Sequence, residues 1–154
     1  MTFQFKQFSV KQTQSAMKIG TDSVLLGAWT PLEQPQSILD IGAGTGLLAL
    51  MLAQRSDAMT IDAVEIDESA YIECTENFEA SPWGDRLFCY HASFEEFFTE
   101  MDEPYDLIIS NPPFYPTDYK TPEKARNTAR FSDALPPKQL LEGVNRLLAV
   151  EGKF

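Results

Sequence analysis

Short apolar runs recur along the chain, and each is followed by a stretch with helical spacing. The runs cover residues 37–41, 60–65, 86–91 and 105–110. After the second run, Ala70, Cys74, Asn77 and Phe78 are spaced as on one face of an amphipathic helix. Strands that alternate with helices form parallel sheets, because each helix carries the chain back across the sheet. The pattern predicts an α/β fold with a doubly wound, mostly parallel sheet.

The start of the chain predicts a small unit over residues 1–30. Large apolar side chains alternate with polar ones over residues 3–10, with one slip in the period, which is typical of a β-hairpin or a bulged strand. A helix is expected over residues 23–29. Thr21 or Asp22 is expected to be its N-cap, because both side chains can accept a hydrogen bond from the first turn.

The second expected unit is the α/β domain of residues 31–154. Within it, residues 136–148 predict a helix with a proline in its first turn, and residues 151–154 predict the turn into a fifth strand. Folds of this class continue with further strands after the fifth. We therefore expect the last strands of the sheet to lie outside this chain.

The charge of the chain bears on its partners. The formal net charge is −11, from 23 acidic and 12 basic residues, and this average disfavours nucleic acid. The charge is unevenly distributed, however: residues 1–21 carry three lysines and no acid, and residues 120–130 carry four basic residues against Glu123. A positive face for RNA and a mixed, solvated surface both fit this distribution.

Several function classes are disfavoured by what the sequence lacks. It shows no apolar segment after a charged start and no apolar stretch of the roughly 18 residues that a membrane helix needs, so we expect a cytoplasmic protein that does not enter a membrane. Cys74 and Cys89 lack C-x-x-C spacing and predict reduced, structural thiols. His91 is the only histidine, so neither a metal site nor a Ser-His-Asp triad is expected.

The first candidate site is a glycine-rich bend between the first strand of the sheet and its helix. Asp40 is followed by glycines at alternate positions, namely Gly42, Gly44 and Gly46. A dinucleotide fingerprint would need glycine in place of Leu47, and a phosphate loop would end in Gly-Lys-Ser/Thr. Such a bend brings bare backbone and a helix N-terminus to a polar or anionic cofactor. A structural bend without a ligand is the alternative.

Glu65 ends the second strand of the sheet, next to the bend in the expected topology. A carboxylate at the tip of this strand can accept hydrogen bonds from both hydroxyls of a ribose. We therefore expect Glu65 to bind the ribose of a nucleoside. A solvated acid at a strand end is the alternative.

The second candidate site is the Asn111-Pro112-Pro113-Phe114 turn after the fourth strand, at the edge where ligands of such sheets bind. The Asn111 side-chain oxygen and the Pro112 carbonyl can each accept one N–H of a conjugated amine, which frees the nitrogen lone pair for attack. Pro113 removes a backbone donor, and Phe114 offers a stacking face. The turn predicts a planar amine as nucleophile. A purely structural Pro-Pro turn is the alternative.

Together, the bend and the turn resemble the motifs of class I S-adenosylmethionine-dependent amino-methyltransferases, which act on adenine N6, cytosine N4, guanine N2 or a glutamine amide. Further segments look like the bacterial members that methylate the N6 amine of an adenine in a tRNA anticodon loop. These segments are residues 5–8, 17–29, 46–55, 81–83 and 108–114. The resemblance implies S-adenosyl-L-methionine as cofactor and tRNA as partner.

The resemblance also implies roles for individual residues. The bend would hold the methionine part of the cofactor with Asp40 near its amino group, and Lys18 and Thr21 would close that end unless they only cap a helix. Ser93 stands where many relatives carry an acid that binds adenine. The cofactor-binding residues implied are Lys18, Thr21, Asp40, Gly42, Ala43, Gly44, Gly46, Glu65, Ile66, Ala92, Ser93 and Asn111.

For the substrate, the resemblance implies Asn111, Pro112, Pro113 and Phe114 as catalytic residues. Phe114 and Tyr115 would contact the base, and Arg126 and Arg130 are candidate phosphate contacts that are equally suited to surface ion pairs. Three other functions stay open: methylation of a protein glutamine amide, methylation of another RNA base, and cofactor binding without turnover.

Overall fold

The protein is described by a computed structural model over residues 1–112 and 135–154. Its elements are β1 (Thr2–Gln4), β2 (Ser9–Lys11), α1 (Thr21–Trp29), β3 (Ser37–Ile41), α2 (Leu47–Arg55), β4 (Thr60–Glu65), α3 (Glu68–Ala80), β5 (Leu87–His91), α4 (Phe94–Glu100), β6 (Tyr105–Ser110), α5 (Pro137–Leu147) and β7 (Leu148–Lys153). No helix in these two segments is long and apolar enough to cross a membrane.

Five strands form one parallel sheet in the order β5-β4-β3-β6-β7. The central strand β3 pairs with β4 on one side and β6 on the other, so Asp40 lies beside Ala63 and Ile109. The order reverses at β3, which is the position where doubly wound sheets open a crevice at their carboxyl edge. The α/β fold predicted from the sequence is confirmed.

Both faces of the sheet are covered, as parallel sheets require. On one face, Ile38 and Ile61 pack with the apolar side of α2, with Phe78 of α3 and with Phe8 of the N-terminal segment. On the other face, Leu39 packs with residues of α4 and α5. Successive residues of β3 thus enter opposite cores, which explains why this strand reads as a continuous apolar run.

The predicted N-terminal hairpin is confirmed, since β1 and β2 pair in antiparallel register. The predicted N-cap of α1 was wrong. Gly20 takes the extended N-cap conformation without a side-chain hydrogen bond, and the helix begins at Thr21. Thr21 and Asp22 therefore lie within the first turn. There the negative charge of Asp22 interacts favourably with the positive end of the helix dipole.

The C-terminal elements follow the prediction with two small shifts. Pro136, which was predicted to begin the helix, is the N-cap of α5, and Pro137 takes the first helical position. The strand β7 begins at Leu148, three residues before the predicted turn. The chain passes from helix to strand without a loop, and the ladder between β6 and β7 has an irregularity between Tyr105 and Leu107. Gly152 lies in this region, where an added Cβ would lie 2.9 Å from the Tyr105 carbonyl oxygen.

Candidate functional site

One cavity of about 490 Å³ opens at the carboxyl edge of the sheet. It is bounded by residues 15–19, by residues 41–45 at the glycine bend, by residues 64–67 after β4, by residues 92–94 before α4, and by residues 110–112 after β6. The bend and the start of the Asn-Pro-Pro-Phe turn therefore line the same space.

The structure brings most of the predicted site residues together. Those that line the cavity are Lys18, Gly42, Ala43, Gly44, Glu65, Ile66, Ala92, Ser93, Asn111 and Pro112. Those that the structure describes away from its lining are Thr21, Asp40 and Gly46. Those that lie outside the described residues are Pro113, Phe114, Tyr115, Arg126 and Arg130.

The three glycines of the bend all have positive φ, but they serve two purposes. Gly42 and Gly44 have φ values of 71° and 56°, and a Cβ on either would meet nothing within 4 Å. Gly46, with φ of 85°, faces inward, where a Cβ would lie 2.7 Å from Phe78 and 2.9 Å from the Cys74 sulfur. The first two therefore leave room for a ligand, and the third permits the helix to pack.

Backbone hydrogen bonds join the bend to β4. The amides of Gly42 and Ala43 both donate to the Val64 carbonyl, at 2.9 and 3.1 Å, and Gly46 donates to Ala43 at 2.9 Å. These bonds fix a conformation that only glycine adopts readily. The protein's own backbone hydrogen bonds thus hold the bend in place.

Glu65 is 8% exposed and is held by the bend itself. Its Oε2 accepts from the Gly44 amide at 2.7 Å, and its Oε1 accepts from the Asp67 amide at 2.9 Å. Burial raises the pKa of Glu65, and the backbone donors oppose the rise. Each oxygen keeps a further lone pair, so a fixed carboxylate here can accept hydrogen bonds from the two hydroxyls of a ribose.

Asp40 lies beneath the bend and is fully buried. Among residues 1–112 and 135–154, neither of its oxygens has a hydrogen-bond partner. Burial raises the pKa of Asp40 to about 7; the nearby Ala49 amide opposes the rise without the geometry of a hydrogen bond, and Glu65 adds to it. Asp40 is buried and does not line the cavity, so its predicted contact with an amino group requires that group to reach it through the glycine bend.

The wall of residues 15–19 is held by a residue that the sequence analysis missed. Glu73 of α3 is 1% exposed and accepts from the backbone amides of Thr13, Gln14 and Ser15. Burial alone would raise the pKa of Glu73, but these hydrogen bonds outweigh it and lower the pKa. A single carboxylate thus anchors the chain just before it enters the cavity wall.

Asn77, one turn further along α3, joins this segment to the glycine bend. Its Oδ1 accepts from the Lys11 amide at 2.8 Å, and its Nδ2 donates to the carbonyls of Lys11 and Thr45 at 3.0 and 2.9 Å. Glu73 and Asn77 are buried polar residues at i and i+4 on one face of the helix. Two polar side chains on the apolar face of a predicted helix indicate buried polar groups that need hydrogen-bond partners, although the spacing does not identify those partners.

Lys18 is predicted to close the methionine end of a cofactor, and it does line the cavity. Its Nζ donates to the Gln12 carbonyl at 2.5 Å, and the Gln12 side chain accepts from the Ile19 amide at 3.0 Å. The lysine thus ties its own wall together in the structure described here. An ammonium group has three donors, so two remain for a ligand.

At the opposite end, Ser93 lines the cavity and begins α4 as its N-cap. Its Oγ accepts from the Glu96 amide at 3.1 Å, and the Ala92 amide donates to the Glu65 carbonyl at 3.2 Å. His91 contacts the Ile66 carbonyl at 3.1 Å and stacks on Tyr71. Ser93 therefore has a capping role as well as its predicted contact with an adenine edge.

Asn111 lies at the end of β6, facing α1. Its Nδ2 donates to the Ser23 hydroxyl at 2.8 Å, and the preceding Ser110 hydroxyl donates to the Ile41 carbonyl at 3.0 Å. Pro112 follows on the cavity wall. Among the described residues, no three His, Cys, Asp or Glu side chains converge as metal ligands.

A family model for the methyltransferase small domain matches residues 9–131, which include the bend, the Asn-Pro-Pro-Phe turn and every strand between them. The chain belongs to this family. The matched residues include both motifs that line the cavity.

Two curated relatives show how far the similarity extends. The chain is 65% identical over 153 residues to a Christiangramia forsetii protein and 62% identical over 151 residues to one from Flavobacterium johnsoniae. Both are named tRNA1(Val) (adenine(37)-N6)-methyltransferase. In each case, 97% of this chain is covered, and the chain spans 64% of the relative's length.

Solved structures share the fold of this methyltransferase small domain. A methyltransferase from Thiobacillus denitrificans, in complex with S-adenosyl-L-homocysteine, aligns with a TM-score of 0.61 at 15% identity over 86% of this chain and 46% of that one. An RNA methyltransferase candidate from Pyrococcus horikoshii aligns with a TM-score of 0.55 at 20% identity, covering 82% of this chain and 52% of that one. At these identities the likeness extends to the fold alone.

Proposed function

We propose that this chain carries the catalytic domain of an S-adenosyl-L-methionine-dependent methyltransferase that modifies the N6 amine of an adenine in a tRNA, next to the anticodon. The observation that carries the proposal is the shared cavity of Gly42, Gly44, Asn111 and Pro112. The names of the relatives at 62 and 65% identity support the tRNA substrate. A tRNA substrate also implies a cytoplasmic location.

The residues of the bend fit the proposed cofactor. Gly42 and Gly44 leave open space where side chains would otherwise stand, and Glu65 offers fixed acceptors for ribose hydroxyls. Ala92 and Ser93 line the opposite end, at the position proposed for the adenine ring. When bound, the cofactor supplies a methyl group on a sulfonium, which is an electrophile that needs no metal.

The acceptor amine is held by the turn. The Asn111 side chain bonds through its nitrogen to Ser23, which leaves its Oδ1 to accept one N–H of the adenine amine. The Pro112 carbonyl accepts the other. Two acceptors draw the nitrogen toward tetrahedral geometry, and the proton lost after attack passes to water or to one of these oxygens. Alignment and preorganised acceptors supply the rate.

An anticodon loop is a suitable substrate for such a pocket. Its bases are not paired, so unstacking one base into the cavity costs less than extracting it from a duplex. Phe114 and Tyr115 stay predicted contacts of the base, and Arg126 and Arg130 stay predicted contacts of the phosphates. All four lie outside the described residues.

The test is a transfer assay with isotopically labelled cofactor and unmodified total tRNA, followed by digestion to nucleosides. We expect label in N6-methyladenosine. Asn111→Ala should abolish the signal while calorimetry shows cofactor binding retained. Asn145→Ala is the matched control, because Asn145 is exposed on α5 and should leave the activity unchanged.

Each other outcome assigns a different function. Label in protein would support a glutamine-amide methyltransferase, and label in another nucleoside would identify another base. Cofactor binding without transfer to RNA or protein would indicate a binding module. Full activity of the Asn111→Ala variant would show that the role given to Asn111 is wrong.

A further inference from the structure

The described neighbour of the Asn111 side chain is Ser23, which is 88 positions earlier in the chain. The Asn111 Nδ2 lies 2.8 Å from the Ser23 Oγ, and both residues line the cavity. Within the described segments, the Asn111 side chain makes no other hydrogen bond. The orientation of its amide therefore depends on one hydroxyl group of α1.

That orientation matters because an amide has two different ends. With Oδ1 toward the substrate, Asn111 accepts an N–H of the amine; after a 180° rotation, its own N–H groups would face those of the amine. Two donors in opposition cannot form a hydrogen bond. The Ser23 hydroxyl can accept from Nδ2 or donate to Oδ1, so its hydrogen bond fixes the plane of the amide. The opposed N–H groups of the flipped form then favour the rotamer in which Nδ2 bonds to Ser23 and Oδ1 is available to the amine.

We propose that Ser23 is a positioning residue that holds the Asn111 amide with its oxygen toward the methyl acceptor. This inference rests on the proposed function, because the acceptor amine is part of it. Ser23 acts through Asn111 and contacts neither reacting atom. No local sequence pattern around the Asn-Pro-Pro-Phe turn reveals it.

Ser23 can do this because α1 is fixed at its other end. Gly27 approaches α2 so closely that an added Cβ would lie 2.5 Å from the Met51 sulfur. The Arg55 guanidinium at the end of α2 donates to the carbonyls of Gly27 and Thr30, at 2.6 and 3.0 Å. The helix is therefore anchored to α2, and Ser23, one turn before Gly27, is presented at a constant position.

The kinetic test compares Ser23→Ala with Ser23→Thr in the tRNA methylation assay. Loss of one hydrogen bond between uncharged groups changes an equilibrium by about two- to tenfold. We expect Ser23→Ala to lower kcat by up to about tenfold, with KM for tRNA and the dissociation constant of the cofactor each within about twofold. Ser23→Thr restores a hydroxyl and should restore kcat to within about twofold.

Ser56→Ala is the matched control for removal of a hydroxyl. The Ser56 hydroxyl donates to the Leu52 carbonyl at the end of α2, away from the cavity lining. This variant should keep the kcat of the parent. A Ser23→Ala variant with parental kcat would overturn the positioning role, and so would a Ser23→Ala variant whose loss lies wholly in cofactor affinity.

A second measurement does not depend on activity. In ¹⁵N spectra of the protein without cofactor, the Asn111 side-chain amide is assigned as the signal that disappears in Asn111→Ala. We expect one of its protons to be shifted downfield and slow to exchange, to move to solvent-like values in Ser23→Ala, and to return in Ser23→Thr. An Asn111 amide signal that Ser23→Ala leaves unchanged would show that the hydrogen bond is absent.

The two proposals fail in different ways. If the parent protein methylates neither RNA nor protein, the proposed function is wrong, and the role of Ser23 is wrong with it. If the parent methylates tRNA and the amide responds to Ser23→Ala while kcat does not, only the positioning role is wrong.

Discussion

Two walls of the cavity keep their shape by different means. The glycine bend is fixed by backbone conformation, with positive φ at three glycines and hydrogen bonds to Val64. The wall of residues 15–19 is held partly by hydrogen bonds from Lys18 and Ile19 to Gln12, and partly from α3, where Glu73 accepts from the Ser15 amide. The bend therefore depends mainly on its own glycines, whereas the other wall also depends on a residue 58 positions away in the chain.

A buried acid lies behind each wall, and the pKa values of the two acids shift in opposite directions. Glu73 has three backbone amides and the Thr13 hydroxyl as donors, and its pKa is lowered. Asp40 has no hydrogen-bond partner among the described residues, and its pKa rises to about 7. Desolvation acts on both, so the number of donors decides the sign. The Glu73 charge stabilises the fold, whereas the Asp40 charge opposes it.

The largest expected effect comes from Glu73→Ala. The buried Ser15 amide and the part-buried amides of Thr13 and Gln14 would lose their charged acceptor, at about 1 to 3 kcal/mol each, so we expect the free energy of unfolding to fall by about 5 kcal/mol. Urea unfolding at pH 7 measures it. Because the pKa of Glu73 is lowered on folding, its contribution is present above the unfolded pKa and is lost as the pH falls through the folded pKa.

Glu76→Ala is the control for the same helix. Glu76 makes an ion pair with Lys11 in which both side chains are about half exposed, and such pairs contribute little. We expect this variant to unfold at nearly the parental urea concentration. Equal losses in the two variants would show that the anchoring of residues 13–15 adds nothing to ordinary helix stability.

Asp40→Asn tests the effect of the buried acid beneath the glycine bend on stability. A carboxyl whose pKa rises from 3.8 to about 7 on folding destabilises the fold once it must ionise. The gain in unfolding free energy of the variant over the parent should therefore grow between pH 4 and 7 and level off above pH 7. The whole change is about 4 kcal/mol, at 1.36 kcal/mol per pKa unit. A stability difference that is flat from pH 4 to 8 would contradict the raised pKa.

The two walls also differ in how well they could be predicted from the sequence. The sheet, the bend and Glu65 depend on local patterns, such as strand periodicity and alternate glycines, and the structure places them as expected. Glu73 and Asn77 could not be assigned, because their partners lie 32 to 66 positions away in the chain. Ser23 was missed because its partner Asn111 belongs to a different motif.

The structure corrects the predicted start of two elements, α1 and β7. Thr21 and Asp22 are good N-cap residues, yet Gly20 takes the cap position and moves both into the first turn. The start of β7 was predicted three residues late, because its apolar residues continue the pattern of α5 without a turn between them. The residue at which such a helix or strand begins depends on tertiary contacts, and intrinsic helix or strand propensities do not include these contacts.

Gly46→Ala and Gly42→Ala separate the packing role of the bend from its conformational role. Both glycines have positive φ, which costs an alanine about 1 to 2 kcal/mol. At Gly46, the added methyl would also press on Phe78 and Cys74, so we expect a loss of about 3 kcal/mol. Gly42→Ala should lose about 1 kcal/mol in the same urea experiment. Equal losses would contradict the inward packing of Gly46.

The smallest change in stability, that of Gly42→Ala, is expected to have a clear effect on binding. The added methyl meets nothing within 4 Å and therefore enters the space proposed for the cofactor. We expect calorimetry to show S-adenosyl-L-methionine binding weakened by about tenfold, equivalent to about 1.4 kcal/mol. Gly20→Ala is a suitable control, because Gly20 is absent from the cavity lining. Unchanged affinity in Gly42→Ala would mean that the bend is rigid for structural reasons and that the cofactor binds elsewhere in the cavity.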